Sequence, residues 1–293
     1  YKRQPLWYLS IFQEASIHAN DQVIDESALD KALDSKYQRE SYLPERALSD
    51  ILDGQVIIET QGECVGQVNG LTVIDVSGHP LSYGEPARIS CVIHFGDGDI
   101  SDVERKAELG GNLHAKGMMI MQAFVSSALQ LDEPLPYSAS VVFEQSYCEV
   151  DGDSATLAEL CSFVSALSEY PINQQIAVTG AVDQFGRVQA VGGLNEKIEG
   201  FYRVCKHQGF TGKQGVILPK TNLKHLALHK DVVESIKNDE FHIWSVETVD
   251  EAIPIIMGKP FRGDDETSVI HKIAERIENL SLIHISEPTR QIR

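Results

Sequence analysis

The stretch from Gln174 to Pro219 constrains the fold more than any other part of the chain. "QQIAVTGAVDQFGRVQAVGG" predicts two strands joined by a turn around Gln184-Phe185-Gly186. "NEKIEGFYRVCKHQG" follows with helical periodicity, and "GVILP" then reads as a short strand buried on both faces. Strands and a helix this close together demand a mixed α/β architecture with compact βα units.

The rest of the chain agrees. The segment up to about Arg46 is helical, with "DESALDKAL" placing a capping residue before apolar positions at helical spacing. From Ile51 the character changes. "GQVIIET" and "VGQVNGLTVIDV" read as β-rich with Gly/Asn turns, and "ARISCVIHF" as a further strand. Asp102 to Leu131 is mostly helical, broken near Gly110-Gly111. "YSASVVFEQSY" is a strand. "ATLAELCSFVSALSEY" predicts an amphipathic helix with Leu157, Leu160, Cys161, Val164 and Leu167 on one stripe. Another helix, the strand "FHIWSV" and the helix "TVDEAIPIIMG" follow "GVILP". No internal repeat is visible.

The 293 residues carry a formal net charge of -18, which argues against nucleic-acid binding through phosphate neutralisation. No apolar run is long enough to span a bilayer, and a cytoplasmic protein is expected. The five cysteines are scattered without CxxC pairs, so neither a disulfide framework nor a zinc site is expected. The acidic run "GDGDISD" lacks the ligand pattern of a calcium loop, and no metal is expected. The chain starts at Tyr1 rather than Met, and residues upstream are expected. The run "SLIHISEPTR", 281–290, resembles a translated DNA-sequencing adapter and is left out of the fold reading.

Chemistry concentrates in two places. In "CEVDGDSATLAELCSF", Ser154 falls at the predicted start of a helix, where free N–H groups and the positive end of the macrodipole favour an anion. Those groups suit the oxyanion formed when a serine attacks a carbonyl, but serine needs a base. No G-x-S-x-G elbow surrounds it. In "VQAVGGLNEKIEG", Lys197 falls in the first turn of a helix, whose field disfavours a cation. A lysine acts as a base only when neutral, which burial or a positive field promotes. Each feature alone has an ordinary reading, as a helix cap and as a solvated surface lysine.

Together, "DGDSA" (Asp151–Ala155), "AVTGAV" (Ala177–Val182) and "VGGLNEKIEG" (Val191–Gly200) resemble the proteolytic domain of the Lon peptidase family. Lys197 follows Ser154 by 43 residues, the spacing of that family's Ser–Lys dyad. "GQVNGLTVIDVSGHPLSYGEPARISC" is similar to the start of the domain. "GDSA" and "ELGGNLHAKGMMI" look closer to the Lon-related bacterial and archaeal branch than to the classical enzymes.

The resemblance implies three regions. Residues 1–50 are the end of an AAA-type ATPase lid and linker, 51–262 the Ser–Lys proteolytic domain, and 263–293 a terminal helix and non-native tail. It further implies an ATP-dependent serine endopeptidase that degrades unfolded or damaged polypeptides, working as a homohexamer. ATP and Mg would bind an upstream module, because this chain has no P-loop. Ser154 is then the nucleophile and Lys197 the general base. Thr179 orients the lysine, and the backbone of Gly152 and Asp153 shapes the oxyanion site. Gly192 and Gly193 permit the turn before Lys197.

Thr156 and Cys148-Glu149 depart from the family pattern and bear on substrate entry. Asp151 and Asp153 read most simply as caps and loop charges, and His114 and Lys116 as part of a helix N-terminal turn. Two other functions fit parts of the chain: a Lon-like scaffold without peptidase activity, and a Ser–Lys amidase acting on small substrates.

Overall fold

The computed structural model describes residues 4–19, 23–79, 81–129, 137–263 and 265–286. Three helices open it: α1 (Gln4–His18), α2 (Glu26–Glu40) and α3 (Tyr42–Leu52). Asp25 caps α2, its carboxylate accepting from the Ala28 N–H at 2.8 Å. Next come β1 (Glu63–Cys64), β2 (Gln67–Ile74), β3 (Tyr83–Phe95), β4 (Ile100–Asp102), α4 (Val103–Lys106), α5 (Asn112–Leu129) and β5 (Tyr137–Phe143). Then come α6 (Thr156–Ser168), β6 (Ile172–Asn173), β7 (Ile176–Val178), β8 (Ala181–Val182), β9 (Val188–Gln189), α7 (Leu194–Gln208) and β10 (Gln214–Pro219). A 3-10 turn (Lys220–His225), α8 (Lys230–Lys237), β11 (Phe241–Val246), α9 (Val249–Met257) and α10 (Val269–Ser286) complete the order.

The main sheet has seven strands in the order β11-β10-β7-β2-β3-β5-β4. β11, β10, β7 and β2 run parallel, β3 lies antiparallel between β2 and β5, and β4 runs parallel to β5. The expected mixed α/β class is what the chain adopts. Side chains alternate along the central strands. Val178 and Ile217 enter the core that α5, α6, α9 and α10 share. Ala177, Val216 and Leu218 enter a second core, with Leu194, Ile198 and Phe201 of α7. The sheet thus holds α6 on one face and α7 on the other.

Two sequence expectations fail, each for a local reason. "GQVIIET", 54–60, is not a strand. Its polar groups go to other partners: the N–H groups of Gln55 and Val56 donate to the Asp50 carbonyl, and that of Ile57 to Gln145 Oε1. Asn69-Gly70 is no turn but the middle of β2. Asn69 is fully buried, and its amide donates to the carbonyls of Glu59 at 2.7 Å and Gln174 at 2.8 Å. A polar residue chosen for buried carbonyls imitates a turn signal in sequence.

The predicted amphipathic helix is also corrected. All 13 residues of α6 are buried, its serines included. Sheet, α5, α9 and α10 surround it, so its small polar residues bond backwards into the helix: Ser162 to the Glu159 carbonyl and Ser168 to that of Val164. Arg276 of α10 donates to the carbonyls of Ala166 and Leu167, both at 2.8 Å, and so closes the C-terminal end of α6. Val269 and Ile273 of α10 are fully buried, so this helix shares the core. α10 runs on through 281–286, and 287–290 lie outside the described residues.

Glu159, on α6, meets two other buried ionisable groups. His114 Nδ1 lies 3.5 Å from Glu159 Oε1, and His114 Nε2 lies 3.2 Å from Asp102 Oδ2. Burial pushes the Glu159 carboxyl up to about 7, against the His114 charge. Burial lowers the His114 imidazolium, but Asp102 and Glu159 outweigh it and hold it above its ordinary value. Both groups bind protons more tightly when folded, so their stabilisation is lost as pH rises, that of Glu159 through about 7 and that of His114 above its ordinary value. Thermal unfolding at about pH 6 and about pH 8.5 is expected to show a lower melting temperature at the higher pH. Glu159→Gln is expected to flatten that dependence, and an unchanged slope in the variant would remove Glu159 from the account.

Candidate active site

Ser154 occupies the turn before α6. Ala155 rather than Ser154 is the N-cap, with no side-chain cap bond, so the expectation of a capping serine fails. The Ser154 hydroxyl is instead spent on a lysine. Gly152 enters the turn at φ +100°, a conformation open to glycine and strained for other residues. Thr156 closes the turn, its N–H and hydroxyl both reaching the Asp153 carbonyl, at 3.1 and 2.6 Å.

The turn is latched to the sheet where the latter breaks. β7 ends at Val178 and β8, in a different sheet, begins at Ala181. Thr179-Gly180 between them turns polar groups towards Ser154. The Gly180 N–H donates to the Ser154 carbonyl at 2.8 Å, and Thr179 Oγ1 donates to the same oxygen at 3.2 Å. In return the Leu157 N–H donates to the Gly180 carbonyl at 3.0 Å. The expected hairpin around Gln184-Phe185-Gly186 is present as β8–β9, but its first arm is split at this point.

Lys197 arrives from the opposite face of the sheet. It is the fourth residue of α7, its N–H donating to the carbonyl of the N-cap Gly193 at 3.0 Å. Gly193 has φ +63°, and a Cβ there would sit 2.4 Å from Val73 Cγ2; Gly192 faces open space. Of the two expected turn glycines, Gly193 alone meets both a strained backbone and a crowded neighbour. The Lys197 side chain is 3% exposed. Its Nζ lies 2.7 Å from Ser154 Oγ and 3.2 Å from Thr179 Oγ1. Burial pulls the Lys197 ammonium down to about 8, while the nearby Asp153 carboxylate pulls the other way.

The structure therefore brings Ser154, Thr179 and Lys197 together, and sets the acidic neighbours apart from them. Asp151 caps α5, accepting from the Leu113 N–H at 3.1 Å, and its carboxyl is held below the ordinary range by the Gly152 and Leu113 N–H groups. Asp153 is exposed and acts on Lys197 through charge alone. His114 faces its carboxylate cluster, and Lys116 is exposed. Thr156, expected to bear on substrate entry, is buried, and its bulk is matched from outside the motif. A Cβ on Gly117 of α5 would sit 2.6 Å from Thr156 Oγ1. Nothing in the spacing around Ser154 points to Gly117, because the pairing crosses between helices. Cys148 and Glu149 are exposed.

Among the described residues no group of His, Cys, Asp and Glu is placed to hold a metal ion. No helix among them is long and apolar enough to cross a membrane. A cavity of about 800 Å3 lies elsewhere, between α2 and the outer faces of α7 and α8, with Tyr37, Tyr202 and Arg203 in its walls. Its charges face one another: Arg203 pairs with Glu45, Lys206 with Asp231 and Lys230 with Asp30.

Residues 141–259 match the Lon protease (S16) C-terminal proteolytic domain. A Lon protease homolog of Escherichia coli (strain K12) is 51% identical over 277 residues, covering 94% of this chain and 47% of its own length. One from Haemophilus influenzae (strain ATCC 51907 / DSM 11121 / KW20 / Rd) is 48% identical over 277 residues, covering 94% of this chain and 45% of its own length. An archaeal Lon protease of Methanocaldococcus jannaschii is 37% identical over 126 residues, 43% of this chain and 17% of that protein. The chain spans about half the length of the first two relatives. Ser154, Thr179 and Lys197 all fall within the matched segment, and the chain carries a proteolytic domain of the Lon protease (S16) type.

Proposed function

We propose that the chain is the proteolytic part of an ATP-dependent serine endopeptidase that degrades unfolded or damaged polypeptides through a Ser154–Lys197 dyad. One observation carries the reading: a buried lysine amine 2.7 Å from a serine hydroxyl that is itself only partly buried. With the amine neutral, Ser154 O–H donates to Nζ, Nζ–H donates to Thr179 Oγ1, and Thr179 O–H donates to the Ser154 carbonyl. Thr179 thus fixes the amine without adding charge. Ser154 Oγ attacks the scissile carbonyl carbon while Lys197 takes the hydroxyl proton. As the tetrahedral intermediate collapses, the C–N bond breaks and the Lys197 ammonium protonates the leaving amine. Water then attacks the acyl ester with Lys197 again as base, returning the serine and releasing the acid.

The oxyanion needs N–H donors from the turn itself. The amides of Thr156 and Leu157, at the start of α6, are already bonded to Asp153 and Gly180. The Gly152 N–H is turned to the Asp151 carboxylate, so the donors come from the segment Asp153–Ala155, and the backbone of Gly152 serves by shaping the turn. A scaffold without peptidase activity has no use for a lysine held dry against a serine, since that burial costs stability.

The wider setting is part of the same reading. ATP and Mg act at an AAA-type module upstream, of which 1–50 is the lid's end, and the protein is a cytoplasmic homohexamer enclosing its sites for protein quality control. Enclosure keeps the dyad from cutting folded neighbours.

In the full-length polypeptide, Ser154→Ala and Lys197→Ala are each expected to lower ATP-supported casein cleavage by at least about three orders of magnitude. Wild-type rates in either variant would sink the dyad. The rate of acylation is expected to rise with pH around a midpoint near 8, where the Lys197 amine loses its proton. Asp153→Asn removes a charge that holds the proton on, so its midpoint is expected to fall below the wild-type value.

Lys197→Met tests the burial directly. A lysine lowered from 10.5 to about 8 costs the folded state about 3 kcal/mol below pH 8, and that cost fades as pH rises towards 10.5. Lys197→Met is expected to unfold several degrees higher than wild type at neutral pH, with the gain shrinking under alkaline conditions. A variant that melts lower at neutral pH would show the amine is not held at such a cost.

A further inference from the structure

The seat of α7 on the sheet is unusually close. Gly84 lies near the start of β3, and its register partner on β2 is Val73, the residue that crowds Gly193. A Cβ on Gly84 would sit 2.0 Å from the carbonyl oxygen of Glu196 and 2.6 Å from the backbone nitrogen of Lys197. A Cβ on Gly200, one turn along α7, would sit 2.1 Å from the carbonyl oxygen of Gly84. These are backbone obstacles and cannot swing aside as a side chain can. Val73 and Gly84 thus meet α7 at three successive points, Gly193, the Glu196–Lys197 peptide and Gly200, and the middle point is the peptide bond that carries Lys197.

We propose that Gly84 is a positioning residue for Lys197: its bare Cα, seated against the Glu196–Lys197 peptide and Gly200, sets how deeply the Lys197 amine reaches towards Ser154. This rests on the dyad reading above. Any side chain at 84 must lift the first turns of α7 off the sheet, and the amine rides outward with them. Since the separation of Nζ and Oγ is 2.7 Å, a displacement of about 1 Å breaks the contact and lets water reach the amine. The same displacement spares Ser154 and its latch, which hang from α6 and the β7–β8 break.

The test measures acylation of Ser154 by a fluorophosphonate probe against pH, in the full-length polypeptide, for wild type, Gly84→Ala and Gly200→Ala. Each glycine variant is expected to slow labelling about 10- to 100-fold per folded molecule, and to raise the pH midpoint by about half a unit or more as the amine becomes hydrated. Gly96→Ala is the control for crowding alone. It follows the other end of β3, where a Cβ would sit 1.9 Å from Ser138 Oγ, so it is expected to lower the melting temperature and leave the midpoint in place. If neither glycine variant folds at ambient temperature, both are labelled at about 10 °C after folding is verified by circular dichroism. Failure of both to fold even there overturns the proposal, because it gives the glycines a global role. Ser154→Ala and Lys197→Ala run alongside. Loss of labelling in both, with Gly84→Ala keeping the wild-type rate and midpoint, overturns the positioning role alone. Wild-type labelling in Lys197→Ala overturns the dyad and the positioning role with it.

Discussion

A primary amine held out of water against two hydroxyls is the interaction on which the site depends. Among the described residues no carboxylate lies within hydrogen-bond distance of the Lys197 amine, which contacts Ser154 Oγ and Thr179 Oγ1. An ammonium is poorly served there, because two hydroxyls replace a full hydration shell. The neutral amine fares better, since Ser154 O–H can serve its lone pair and Thr179 Oγ1 accepts one of its two N–H groups. Desolvation lowers the ammonium to about 8, which is what would leave a share of free amine for the proposed role as base. The first turn of α7 acts through geometry: it brings the side chain to Ser154 from the opposite face of the sheet.

The fold delivers the two partners from opposite sides of a single sheet. α6, buried along its whole length, carries Ser154 on its leading turn. α7 packs on the other face and carries Lys197. They can meet only where the sheet between them has a gap, and the break between β7 and β8 supplies it. Thr179-Gly180 sits in that gap and bonds to the serine turn on one side and the lysine amine on the other. Thr179 N–H still donates to the Ile217 carbonyl of β10 at 3.0 Å, and it is Gly180 that leaves the ladder and gives its N–H to the serine turn. The break, a defect by the standards of sheet pairing, is where Ser154, Thr179 and Lys197 come within hydrogen-bond reach of one another.

Much of this was legible in the sequence, for reasons that differ residue by residue. The strand–turn–strand–helix–strand run from Gln174 to Pro219 was readable because short buried strands and tight turns are specified locally. Ser154 and Lys197 were marked by spacing and by their places beside helix starts, although the cap proved to be Ala155. Thr179 entered only through the family resemblance, because a threonine ending a strand carries no signal of its own. The burial of α6 was misread. Its apolar stripe is real, but Ser162, Ser165 and Ser168 satisfy themselves against backbone and so look solvent-facing in sequence while lying in the core. Gly84 and Gly117 were invisible, because their meaning lies in neighbours brought up by other elements.

In the proposed dyad, a lysine suits this geometry better than a histidine. An imidazole base commonly relies on a second group to fix its tautomer and stabilise the imidazolium, which brings a carboxylate into the site. An amine has no tautomer to fix, so a neutral hydroxyl such as that of Thr179 suffices to orient it. The carboxylates nearest the serine are accordingly kept out of contact: Asp151 is turned to cap α5, and Asp153 faces solvent. Were either to bond the amine directly, the ammonium would be stabilised and the burial shift undone. In so acidic a chain, keeping carboxylates away from one amine is as much a part of the site as the amine itself.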